Sequence, residues 1–254
     1  MKQEKTFDKG SLEFADGLFD YQKFVLYLEN LSKDESVDDY ERHKKIINSK
    51  QKLIGISMKN IRLISKYILK NFEDMFLDIA KTKEAKDAYF EETLIEGIVI
   101  ANIKDLDRQI EKLKIWANKI DNWSTCDSVV TSLKILKKSS KKDNYFADFV
   151  RMCFSEYEFI SRFGIVVLMS VYLDENHIDK IYQIISQISN NAYYVKMAIA
   201  WLIASGFLVD KQKTYELLKQ KKLDKFIQNK AISKCRDSYQ VSLEDKENLL
   251  LFKM

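Results

Sequence analysis

Apolar residues recur three and four positions apart along almost the whole chain, the spacing of one face of a helix. Leu18, Tyr21, Val25 and Leu28, flanked by Phe24 and Leu31, mark a first helix, which the polar run Ser32–Ser36 ends. A second covers Val37 to Ile47. Ile61, Ile64, Ile68 and Leu69 stripe a third, with Ser57 as its N-cap, because a hydroxyl just ahead of a helix can accept from an orphaned backbone N–H. The same reading predicts helices near 72–81, 84–102 and 105–119, and one over Trp123–Lys138. After a polar, basic connector at Lys137–Asp143, others follow near 144–154, 156–173, 177–188, 191–207, 211–220, 223–238 and 242–252.

Such regular helices with short polar breaks predict an all-α chain of HEAT-like helical repeats stacked as an α-solenoid, each pair burying its apolar face against its neighbours. No strict repeated motif occurs, so the repeats are diverged, and a globular helical bundle is the structural alternative. The chain has 254 residues, and no composition shift or linker breaks it, so a single domain over 1–254 is expected.

Composition strengthens the helical reading. Proline is absent and only six glycines occur, too few turn residues for a sheet-rich fold. The net charge is +4, from 42 Lys and Arg against 38 Asp and Glu. That suits a nucleic-acid binder only where the charge is segregated onto one face. Cys126, Cys153 and Cys235 are widely spaced and odd in number, which argues against a disulfide framework. His43 and His177 form no ligand pattern with them, so no metal and no cofactor are expected. The charged start Met1–Lys5 leads into no apolar signal region, and the apolar run Phe163–Leu173 is too short to span a membrane. A cytoplasmic protein is the simplest expectation.

Four segments carry a resemblance. They are Asn122–Ser128 (NWSTCDS), Glu158–Met169 (EFISRFGIVVLM), Tyr193–Ala204 (YYVKMAIAWLIA) and Leu223–Ser242 (LDKFIQNKAISKCRDSYQVS). In sequence, order and rough spacing they resemble the AlkD-like DNA alkylation-repair family. Before residue 120 the likeness is fainter and rests mainly on Gly55–Ile68. The resemblance implies a stack of HEAT-like repeats with a concave, basic face that grips duplex DNA. It also implies a DNA glycosylase that removes purines alkylated at N3 or N7, acting as a monomer without metal. The family's functional residues fall on Trp123, Asp127, Arg162 and Trp201. Where the family often has a second basic residue beside Arg162, this chain has Ser161.

Those residue types suit that chemistry. Cleavage of an alkylated, cationic purine develops oxocarbenium character at the sugar, which a carboxylate such as Asp127 stabilises. Trp123, four residues earlier, lies on the same helical face. Indole is the best aromatic face for a cation, so Trp123 and Trp201 would bracket the cationic nucleoside, with Arg162 on a phosphate. Lys138, with its neighbours Lys134, Lys137, Lys141 and Lys142, and Lys230, Lys234 and Arg236 near the C-terminus would follow the DNA backbone. The acidic stretch Asp34–Glu41 would face away from DNA.

Each residue also has a structural alternative. Trp201, within Ala-Ile-Ala-Trp-Leu-Ile-Ala, reads as a core position, and Arg162 reads as an ion-pair partner of Glu156 or Glu158. Two other functions remain open: a DNA-binding repeat protein without base excision, and a helical scaffold for protein partners.

Overall fold

Proline is absent from the chain, and every regular element among the described residues is helical. The computed structural model describes residues 7, 8, 10–12, 17–31 and 37–254. The polar run 32–36, and with it the orientation expected of most of the acidic stretch 34–41, lies outside them.

The chain divides into two compact units, residues 1–135 and 136–254. The first holds α1 (Tyr21–Leu31), α2 (Val37–Ile47), α3 (Met58–Asn71), α4 (Glu73–Ala80), α5 (Phe90–Ala101), α6 (Leu106–Trp116) and α7 (Trp123–Val130). The division falls within the short α8 (Lys134–Lys138). The second holds α9 (Phe146–Cys153), α10 (Glu158–Val167), α11 (Ile178–Ile185), α12 (Tyr193–Val209), α13 (Lys211–Lys219), α14 (Lys225–Asp237) and α15 (Leu243–Asn248).

Helix starts follow local chemistry. The Ser57 hydroxyl accepts from the Asn60 N–H at 3.4 Å, as its position predicts. Asp105, Asn122, Asp210, Asp224 and Ser242 each cap a helix in the same way. Each such cap contributes about 1 kcal/mol.

In the first unit every residue of α5 is buried. It packs against α3 on one side and α7 on the other, with α6 alongside. Gly97 allows this closeness: a Cβ there would meet Cζ2 of Trp116 at 2.4 Å and Cγ2 of Val129 at 2.5 Å. Three glutamates of α5 are buried with partners. Glu91 accepts from the Ile54 and Gly55 N–H groups, at 2.9 and 2.7 Å. Glu92 accepts from the Tyr21 hydroxyl at 2.6 Å and the Tyr89 N–H at 2.7 Å. Glu96 pairs with Lys119 at 2.8 Å. Burial without those partners would be prohibitive for charged groups.

In the second unit α12 is central, packed between α10 and α14, and α10 packs on α9. Gly164 lets α10 approach α9 until its missing Cβ would stand 2.7 Å from the Cys153 nitrogen and the Phe149 carbonyl. Within each unit, then, alternate helices stack (α3, α5, α7 and α10, α12, α14), with the intervening helices beside them. That is the pairwise stacking expected of an α-helical repeat protein.

Differences from the sequence reading are local. The segment Trp123–Lys138 is two helices, because the Thr131 and Ser132 hydroxyls both donate to the Ser128 carbonyl and end α7. The helix expected at 156–173 ends in a π-helical turn, Leu168–Tyr172. Leu18 precedes α1 and is 65% exposed, so the buried face of that helix is Phe24, Tyr27 and Leu28. Among the described residues no helix is long and apolar enough to cross a membrane.

Candidate functional site

The sequence NWSTCDS becomes the capped start of α7. Asn122 is buried, and its side chain accepts from the Thr125 N–H at 2.8 Å. Thr125, Cys126, Val129 and Val130 turn into the core, which leaves Trp123 and Asp127, one turn apart, half-exposed on the outer face. The Trp123 indole donates from Nε1 to the Ile46 carbonyl, at 3.1 Å. The ring is thereby oriented and still open to solvent.

One residue that the sequence reading passed over holds this helix start in place. Asp121 accepts from the Ser49 hydroxyl at 2.9 Å, from the Lys50 N–H at 2.6 Å and from the Gln51 N–H at 3.3 Å. The segment 49–51 is thus tied to the residue two before Trp123. Only the folded contact reveals this, since an aspartate ahead of a helix reads as a capping neighbour.

The first unit also carries a cationic groove of about 380 Å³. Its lining includes Arg62, Ser65 and Lys66 of α3, Asn102 at the end of α5, and Ser132 and Lys134 after α7, with no acidic residue. Arg62, Lys66 and Lys134 are exposed and have no ion-pair partner among the described residues. Lys134 belongs to the basic cluster read from the sequence; Arg62 and Lys66 do not. Their i,i+4 spacing looks like any solvated helix face until α5 and the 132–134 turn close the groove around it.

In the second unit, Trp201 is 36% exposed although Ala198, Ile199, Ala200, Leu202 and Ile203 around it are buried. The core placement suggested by its apolar neighbours is not adopted. The Lys234 ammonium stands 6.0 Å from the Trp201 ring centre, at the outer limit of a cation–π contact. Lys230, one turn before Lys234 on α14, is half-exposed on the same face. Arg236 is exposed but lies roughly 160° around the helix from Lys234, so it does not join them. Lys138 is exposed at the end of α8.

Arg162 is only 5% exposed. Its Nη1 donates to the Tyr194 carbonyl at 3.0 Å, and its guanidinium lies 5.9 Å from the Tyr194 ring centre. Glu158 accepts from the Tyr194 N–H at 2.7 Å. Arg162 and Glu158 therefore hold the two sides of the Tyr194 backbone at the start of α12.

Among the described residues no group of three or more His, Cys, Asp or Glu side chains is placed to hold a metal ion. All three cysteines are buried thiols outside any disulfide, and burial pushes the Cys153 and Cys235 thiols up, the latter to about 12. In comparison with known proteins, residues 26–235 match the family described as DNA alkylation repair enzyme. The chain matches no curated protein and no solved structure.

Proposed function

The chain belongs to the DNA alkylation repair enzyme family, and on that premise we propose that it hydrolyses the N-glycosidic bond of cationic N3- or N7-alkylated purines in duplex DNA. The observation that carries this reading is the shared, half-exposed face of Trp123 and Asp127 on α7, with the indole fixed by the Ile46 carbonyl.

In the proposed reaction the bond between the sugar C1′ and the purine nitrogen breaks, and its electron pair goes to the base, cancelling the base's positive charge. The positive charge that develops at C1′ is stabilised by the Asp127 carboxylate. A water oxygen bonds to C1′ and gives its proton to Asp127 or to solvent, leaving an abasic site. Trp123 and Trp201 supply indole faces that favour a cationic base over a neutral one. No cofactor enters these steps.

Backbone contacts in this reading come from Lys234 beside Trp201, from Lys230, Lys138 and Arg236, and from the cations of the first-unit groove. Arg162 takes a phosphate in this reading, and its bond to the Tyr194 carbonyl extends its role to positioning α12.

The test is release of alkylated purine from methylated duplex DNA by wild type and by Asp127→Asn. The expected result is release by wild type and a loss of at least about a hundredfold in the folded variant. No release by a folded wild type that still binds the duplex would sink the glycosylase reading and leave a non-catalytic DNA binder.

A further inference from the structure

Four aromatic rings follow one another at the N-terminal ends of α10, α12 and α14. Phe159 lies 5.3 Å from Tyr194, Tyr194 lies 5.1 Å from Tyr193, and Tyr193 lies 6.0 Å from Phe226, centre to centre. The ladder follows from the stacking of the helices. Phe159 is the second residue of α10, Tyr193 and Tyr194 open α12, Phe226 is the second residue of α14, and α12 packs between the other two. Phe159 and Tyr194 are half-buried, but Tyr193 is 56% exposed and Phe226 38%.

Cations surround the exposed end. The Lys196 ammonium is 5.5 Å from the Phe226 ring centre. Lys225 and Lys230, with Phe226 and Asn229, line a shallow groove of about 510 Å³. Two nearby carboxylates are engaged at helix starts: Glu158 with the Tyr194 N–H, and Asp224 with the Phe226 and Ile227 N–H groups and, at 3.8 Å, with Lys196. Lys225 and Lys230 have no ion-pair partner among the described residues.

We infer that the Tyr193–Phe226 edge, with Lys225 and Lys230, is a binding site for unpaired nucleotides of a DNA strand, the bases on the rings and the phosphates on the lysines. A ring can take a base only through the base's face, and inside a duplex both faces are covered by stacked neighbours. The Tyr193 and Phe226 rings are tilted by 56° to each other, so bases laid on both faces cannot keep the parallel stack of a duplex strand. Every base offers such a face, which makes the site tolerant of sequence. Tyr193, Met197 and Trp201 lie at i, i+4 and i+8 on α12, so a strand leaving the rings has about 12 Å to run to Trp201. The inference goes beyond the excision reading and does not rest on it.

The test uses the full chain, a fluorescently labelled oligothymidylate and a labelled mixed-sequence duplex, with affinities measured by anisotropy. The double variant Tyr193→Ala with Phe226→Ala is expected to lose about tenfold or more in affinity for the single strand. Its duplex affinity and its alkyl-purine release should stay within about twofold of wild type, because neither ring faces paired bases. If circular dichroism shows that this variant does not fold, Tyr193→Leu and Phe226→Leu keep the apolar bulk, remove the rings and carry the same expectation. The site is overturned by a folded variant with wild-type affinity for oligothymidylate, by a wild type that does not bind it, or by equal losses on both DNA forms. A wild type that releases no purine yet shows the selective loss would remove the excision reading and leave this site standing.

Discussion

At the scale of single residues, two carboxylates do work that their neighbours in sequence do not announce. Asp121 gathers one hydroxyl and two backbone N–H donors from residues 49–51. Asp121→Ala removes the acceptor of those partly exposed donors, and losing a typical hydrogen bond costs about 0.5–1.5 kcal/mol. The expected outcome is a lower denaturation midpoint together with reduced purine release, since Trp123 begins α7 two residues later. Unchanged release in a destabilised variant would show that Asp121 serves stability alone. Glu91 gives a pH test. Burial raises its carboxyl above the ordinary value of 4.5, outweighing the backbone N–H groups of Ile54, Gly55 and Ile56 that favour the charged form. The folded state therefore holds the Glu91 proton more tightly than the unfolded chain does. Stability from this group is full below pH 4.5 and falls as pH rises through the raised folded value. Glu91→Gln should be less stable throughout, because an amide N–H must face a backbone donor. Its stability should nevertheless decline less above pH 4.5 than that of wild type, and parallel melting curves against pH would sink the assignment.

At the scale of elements, close helix contacts rest on glycine. In Gly97→Ala the added carbon would collide with Trp116 and Val129, both fully buried, and overpacking of this kind costs about 1–3 kcal/mol. A drop of that size in unfolding free energy is expected from denaturant titration. A neutral result would mean that α5, α6 and α7 can separate slightly without penalty. Much of this architecture was legible in the chain. Helix starts at Ser57, Asn122 and Ser242 depend on side chains within three residues, and the spacing of Trp123 and Asp127 gives their shared face directly. What could not be read depends on contacts between distant segments. Glu91, Glu92 and Glu96 look like the exposed face of a helix, yet all three are buried because residues 54, 55, 21 and 119 meet them. Trp201 is the converse: its apolar neighbours suggest the core, but at eight positions from Tyr193 it falls on the outer face of α12. The sequence pattern gave the angle around the helix; only tertiary packing decides which angle is outside.

At the scale of the whole molecule, a net charge of +4 says little, because 42 cations and 38 anions mostly offset each other. What matters for a polyanion is which cations are already committed. Lys81 is held by Asp78 and Lys213 by Asp179, at 2.7 and 2.8 Å, whereas Arg62, Lys66 and Lys134 around the first groove and Lys225 and Lys230 in the second unit have no ion-pair partner among the described residues. Each uncommitted cation that neutralises a phosphate releases a counterion, so the logarithm of affinity should fall linearly with that of salt concentration, by about 0.9 per contact on duplex DNA. Lys66→Ala is therefore expected to weaken duplex binding at low salt and to flatten that slope by about 0.9. Lys213→Ala, which removes a charge already balanced by Asp179, should leave the slope unchanged. Titrating wild type and both variants against one labelled duplex at several salt concentrations separates two causes of the same affinity. If the two variants flatten the slope equally, binding follows net charge, and the groove has no special part in holding DNA. If only Lys66→Ala does so, the distribution of unpaired cations, rather than their excess over anions, is what turns this nearly neutral helical stack toward DNA.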